Sequence, residues 1–423
     1  MVSSLVLMLV SQVTLSGAQS RYEMGLRLKE LDLAWQRVTE PSRRADAVKA
    51  VQASVTSFFS GKTGEVCRAL DSATSILNGS KSVAGSGLTI RFQPAVVAPG
   101  GRAMLQTHWA YTTDSISKVA LRCGTDPVEV EQGKDVVQPM ELDRLGFGKD
   151  SGDQDVEITI GVGTTPRKVR LSVVKDFDAR IQKVLVSTDP IVVGLARLAV
   201  EAGSGNAETD VPIAKVLKLA EGLDSKVTKL SAIQELLTCK HGKTTFRIRF
   251  PEKLVAKSTL VVAMHGAGGS ENLFFEGYGS GKSVDLAMKR GWIFAAPRSS
   301  GTSVQDIVAW MKDVRGISVG RVFVIGHSMG GMQAVNTLKG EPKPAALGLF
   351  APATSLSQKT IEGVPVFLAV GDQEMQMLRT MAEKASPLLG TLGQYKSYPN
   401  CEHLMVVAEG IEDCYRFLDK VPN

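Results

Sequence analysis

A serine hydroxyl is a weak nucleophile at neutral pH unless a base stands within hydrogen-bond reach and an acid orients that base. Ser328 lies in Gly326-His327-Ser328-Met329-Gly330, with an apolar run over residues 322–325 before it and small residues after it. This is the Gly-x-Ser-x-Gly pattern in the strand–turn–helix setting its chemistry requires. Gly326 and Gly330 permit a tight turn. The hydroxyl is expected to stand clear of the strand, with the Met329 N–H facing the same space at a helix N-terminus. His327 is expected to point away from the serine, on the opposite side of the turn.

The partners should follow in the order serine, acid, histidine, each at the end of a later strand. Asp372 stands in Val370-Gly371-Asp372-Gln373, directly after the last long apolar run, and is the expected acid. Glu374 is its nearest competitor. His403, in Pro399-Asn400-Cys401-Glu402-His403-Leu404, is the only histidine beyond the serine motif and is the expected base. A carbonyl attacked by Ser328 would acquire negative charge that needs preorganised N–H donors. His265-Gly266-Ala267-Gly268-Gly269 follows an apolar run at 259–264 and offers them. The Ala267 and Met329 amides are the expected pair, with His265, Gly266 and Gly268 as supporting loop. No Gly-Lys-Ser/Thr follows at phosphate-loop spacing.

These residues need rigid elements to hold them. From about residue 238 to 423 apolar runs alternate with helical patterns, which predicts an α/β fold with a parallel sheet wrapped by helices. Upstream the pattern differs. Met24, Leu28, Leu31, Trp35 and Val38 form one helical stripe, and two shorter stripes follow, so residues 19–79 read as a helical region. From 85 to 175 the apolar period falls to two, with turn residues between short runs, which predicts a β-sandwich-like domain. Residues 176–237 read as a helical connector, set either against the N-terminal helices or as a link to the last domain.

The last segment resembles an α/β-hydrolase. The motif set around Gly266, Ser328, Asp372 and His403 resembles the secreted serine esterases grouped with polyhydroxyalkanoate depolymerases and feruloyl esterases. The resemblance covers less than half of the chain. It implies a Ser328–His403–Asp372 triad, a carboxylic ester substrate that is a small molecule or a polymer end, and no cofactor or metal. The link between the serine helix and Asp372 is short and leaves little room for an inserted cap, so an open site is expected.

Composition bounds the rest. The 423 residues carry a formal charge of +6 with no dense Lys/Arg block, which gives nucleic-acid binding little support. No apolar run approaches the ~20 residues of a membrane span. Residues 1–18 resemble a secretory signal peptide, with an apolar stretch at 5–10 and small residues at 16–18, implying a secreted or periplasmic protein. Five scattered cysteines make no disulfide framework, and Cys401 and Cys414 stand either as a pair or as free buried thiols. The β-sandwich-like domain could contact a surface or glycan. Two alternatives remain: a peptidase or acyltransferase on the same triad, and a non-catalytic protein with a degenerate hydrolase domain that binds a surface or partner through its helical and sandwich regions.

Overall fold

The computed structural model describes residues 17–80, 85–113, 118–123, 126–147, 152–160, 167–223, 237–299 and 304–422. The apolar core of the leader lies outside them, as do Leu230, Ile233 and Leu236 of the expected connector. Gly17 and Ala18 open the first described helix.

Four helices come first: α1 (Gly17–Arg37), α2 (Pro41–Val51), α3 (Ser54–Phe59) and α4 (Thr63–Asn78). Pro41 suits the first turn of α2, where its missing N–H costs nothing, and Gly79 ends α4 in the left-handed region at φ 64°. Eight short strands follow: β1 (Leu88–Phe92), β2 (Val96–Val97), β3 (Arg102–Trp109), β4 (Lys118–Cys123), β5 (Asp126–Glu131), β6 (Val136–Glu141), β7 (Gly152–Ile160) and β8 (Arg167–Val173). They form a three-stranded sheet, β1-β3-β6, and a five-stranded sheet, β2-β8-β7-β4-β5. The two curl around one apolar core that takes Leu105 from one and Leu121, Ile158 and Leu171 from the other. Strict alternation in β4, with Val119, Leu121 and Cys123 inward, is the sequence signal for this half-open arrangement.

Three helices then lead to the last region: α5 (Phe177–Leu185), α6 (Pro190–Gly203) and α7 (Ile213–Gly222). Asp153 of β7 accepts hydrogen bonds from the Ala214 and Lys215 amides at 2.9 and 2.8 Å, so a strand of the curled region caps α7.

The final region carries β9 (Thr238–His241), β10 (Thr244–Arg249), β11 (Ser258–Met264), α8 (Lys282–Lys289), β12 (Ile293–Pro297), α9 (Val304–Arg315), β13 (Val319–His327), α10 (Met329–Asn336), β14 (Ala346–Phe350), α11 (Gln358–Ile361), β15 (Val366–Gly371), α12 (Gln376–Ala385), β16 (Gln394–Tyr398) and α13 (Val406–Leu418). The strands make one sheet in the order β16-β15-β14-β13-β11-β12-β10-β9. All neighbours from β12 to β16 are parallel, and β10 runs antiparallel to β9 and β12. β11 to β15 are apolar almost throughout because helices cover both faces.

The two faces explain the upstream helices. On one, α5, α6 and α7 share a core with Phe246, Ile248 and Val262, so the connector packs on the sheet. On the other, Leu31, Trp35, Val48 and Leu70 of α1, α2 and α4 join Phe294, Phe323 and Ile325 of the sheet. Among the described residues no helix is long and apolar enough to cross a membrane.

Candidate functional site

Ser328 sits between β13 and α10 at φ 54° and ψ −119°. This is a region L-residues rarely occupy, and such strain persists only when the surroundings fix it. Here Gly326 and Gly330 fix it. A Cβ on Gly326 would stand 2.3 Å from the Gly330 carbonyl oxygen, and one on Gly330 would stand 2.0 Å from that of Met264. Only glycines let the helix pack this closely on the strand. The Ser328 amide donates to the Phe350 carbonyl at 2.9 Å, tying the turn to β14.

His403 lies in the turn between β16 and α13. Its Nδ1 is 2.9 Å from Oε2 and 3.0 Å from Oε1 of Glu374, and both side chains are buried. Burial alone would lower the His403 pKa, but the hydrogen bond and charge of Glu374 outweigh it, so the imidazole is held above its ordinary value. The expected carboxylate, Asp372, does not meet the histidine. Its Oδ1 instead accepts from the Cys401 amide at 3.4 Å. The chain turns sharply after β15, with the Glu374 amide bonded back to the Gly371 carbonyl at 3.3 Å. That turn directs residue 372 toward the neighbouring backbone and brings the longer side chain of residue 374 under the imidazole.

His327 is not simply turned away. Its Nε2 is 2.9 Å from the His403 carbonyl oxygen and its Nδ1 is 2.8 Å from the Tyr278 hydroxyl. A carbonyl can only accept, so Nε2 donates to it and Nδ1 accepts from the phenol. Burial, with His403 nearby, holds the His327 pKa well below the ordinary range and keeps the ring neutral. Tyr278 follows a π-helical turn, Leu273–Gly277, that lacks the periodicity by which a sequence announces an element. Its aromatic ring packing on Phe274 and His327 is visible only in three dimensions.

The glycine-rich loop follows β11. His265 Nε2 stands 3.0 Å from the Arg298 carbonyl oxygen and Nδ1 stands 2.7 Å from that of Gly266, which pins the loop's base. A Cβ on Gly266 would lie 3.3 Å from the Cβ of Ser328, so the loop passes close beside the serine. Among the described residues neither the Ala267 nor the Met329 amide donates to a backbone carbonyl outside regular elements.

Residues Gly266 to Gly269, His327, Ser328 and His403 line one pocket, with an empty volume of about 790 Å³ including its mouth. It is not open in the manner expected from the short link after the serine helix. Met24 and Leu28 of α1, Val55, Phe58 and Phe59 of α3, and Val66 and Leu70 of α4 form its opposite wall. The cover comes from the N-terminal helices rather than from an insertion. Cys401 and Cys414 are free buried thiols. Among the described residues no group of three or more His, Cys, Asp or Glu side chains could hold a metal ion.

Counted along the chain from β9, the sheet has the strand order 1-2-4-3-5-6-7-8 with its second strand antiparallel, an α/β-hydrolase architecture. No protein-family profile and no curated protein matches the sequence. Solved structures do. A fluorophosphonate-binding serine hydrolase from Staphylococcus aureus is 12% identical, over 44% of this chain and 97% of that one, with a TM-score of 0.36. A dienelactone hydrolase from Anabaena variabilis is 15% identical, over 44% of this chain and 96% of that one, with a TM-score of 0.36. A protein of unknown function from Agrobacterium tumefaciens, a candidate α/β hydrolase, is 16% identical over 44% of this chain and 98% of that one, with a TM-score of 0.36.

Proposed function

We propose that this protein is a serine hydrolase that cleaves carboxylic esters through an acyl-enzyme, with Ser328 as nucleophile, His403 as base and Glu374 as the orienting carboxylate. The observation that carries the reading is that His403, paired with the buried Glu374, lines the same pocket as a serine on a strained turn. Ser328 Oγ attacks the ester carbonyl carbon while His403 Nε2 takes its proton. The carbonyl oxygen becomes an oxyanion facing the Ala267 and Met329 amides, where one such donor is typically worth ~3 kcal/mol in the transition state. The bond to the alcohol oxygen breaks as His403 returns the proton to it. Water, giving a proton to the same imidazole, then attacks the acyl carbon; the acyl–Oγ bond breaks, His403 returns the proton to Ser328 Oγ, and the acid leaves. Glu374 keeps Nδ1–H turned inward and offsets the imidazolium charge.

The resemblance of the Gly266, Ser328 and His403 motifs to depolymerase- and feruloyl-esterase-type enzymes favours an ester over an amide. Peptidase and acyltransferase readings share the acyl-enzyme and differ in what is attacked or what accepts the acyl group. Hydrolysis of nitrophenyl esters, lost in Ser328→Ala and unaccompanied by cleavage of the matching anilides, supports the esterase reading. Failure of the folded wild-type protein to turn over any ester of the series would refute it.

A further inference from the structure

The wall opposite Ser328 is built from a part of the chain with no catalytic motif. α1 contributes Met24 and Leu28, α3 contributes Val55, Phe58 and Phe59, and α4 contributes Val66 and Leu70; Leu273 and Leu404 complete an apolar lining. Among the described lining residues, Arg21 and Glu208 at the rim pair with each other at 2.6 Å. Their charges offset each other, and the rest of the wall favours an apolar group over a charged or sugar acid.

The wall is fixed to the reacting centre. The ring of Phe58 lies directly on Gly268 of the glycine-rich loop, where a Cβ would stand 2.0 Å from its Cζ. Gly268 holds φ +68°, which favours glycine, and its missing Cβ leaves room for that ring. α1 is bolted to the α/β region by Asp32, whose Oδ2 accepts from the Gly279 amide at 2.6 Å, and by Trp35, whose indole N–H donates to Glu409. Arg44 of α2 pairs with the same Glu409 at 3.2 Å.

We propose that α1, α3 and α4 form the acyl-binding wall of the site, and that the acyl group it takes is an uncharged apolar chain of medium length rather than acetyl, a charged acid or a sugar acid. Phe58 and Val55 set its length. This rests on the esterase reading above and adds the substrate class to it. Each methylene moved from water into such a wall multiplies selectivity by about four.

The test is kcat/KM for nitrophenyl esters from acetyl to dodecanoyl, with fluorophosphonate labelling of Ser328 in parallel. Wild type should favour octanoyl over acetyl by at least about tenfold, a small part of what full burial of the added methylenes would give. Val55→Phe, which fills the wall, should cut that ratio at least about fivefold, and Phe58→Ala should move the optimum to longer chains. Labelled, active enzyme with an acetyl preference, or with an octanoyl-to-acetyl ratio unmoved by Val55→Phe, would overturn the wall and leave the esterase reading intact. A protein that neither labels nor turns over would instead count against the esterase reading. The wall is read separately by calorimetric binding of octanoate and acetate to Ser328→Ala. Octanoate should bind more tightly, and Val55→Phe should weaken it; equal binding of both acids would overturn the proposal.

Discussion

The imidazole of His403 and the carboxylate of Glu374 meet at 2.9 Å, and the Glu374 side chain is wholly shielded from solvent. Asp372, two residues earlier and directly after β15, turns to the Cys401 amide. In the proposed mechanism this pairing gives the orienting role to a glutamate delivered by a turn rather than to the aspartate at the strand end.

Substitution separates the two carboxylates. Glu374→Gln should lower kcat by about a thousand-fold or more, because an uncharged partner neither fixes the tautomer nor offsets the imidazolium. Asp372→Asn should cost less than about tenfold, since it disturbs only a loop contact. Steady-state kinetics on a nitrophenyl ester decides it, and a larger loss in Asp372→Asn would reverse the assignment.

The same pair sets a pH limb. His403 must be neutral to take the serine proton, and Glu374 holds its pKa above the ordinary value, so more of it is protonated at a given pH. The acid limb of kcat/KM should therefore lie above the ordinary imidazole value of ~6.5. Removing the charge in Glu374→Gln should move that limb to lower pH, measured on the residual activity. A limb that stays in place would show that another group titrates.

Asp32 gives a stability prediction. It is fully buried, and burial raises its pKa well above the usual carboxylate value. Between the unfolded value, ~3.9, and the raised folded value, the native state binds more protons than the unfolded state, so stability is lost as pH rises through that window. Asp32→Asn has no proton to lose. Its Tm should fall less than that of wild type between about pH 5 and about pH 8. Parallel melting curves would contradict this.

Tyr278 and His327 link the segment after the glycine-rich loop to the turn that carries His403. Tyr278→Phe leaves the buried His327 Nδ1 without a donor, at a cost of about 1–3 kcal/mol. Denaturant melts should show that loss, together with a reduced kcat on a nitrophenyl ester. Unchanged stability and kcat would remove the link from the account.

Some of this was legible in the sequence. The central strands declare themselves as near-continuous apolar runs because both faces are covered, as at 259–264 and 322–325. Glycine spacing and chain order singled out Ser328 and His403 as candidates. Glu374 stood only as the nearest competitor to Asp372, because the direction of a side chain after a strand depends on the turn's hydrogen bonds. The cover over the pocket was not legible either. A stripe such as Leu28, Leu31 and Trp35 records that a helix buries a face, without recording against what. Strand β9, the hairpin partner of β10, escaped because it has only four residues, too few for alternation to register.

In the proposed mechanism Ser328 carries the acyl group. Intact-mass analysis of protein quenched during turnover of a slow nitrophenyl ester, followed by peptide mapping, tests it directly. The account predicts a mass increase of one acyl group, located on the peptide bearing Ser328 and abolished in Ser328→Ala. Ester turnover with the adduct on another residue, or undiminished in Ser328→Ala, would contradict it.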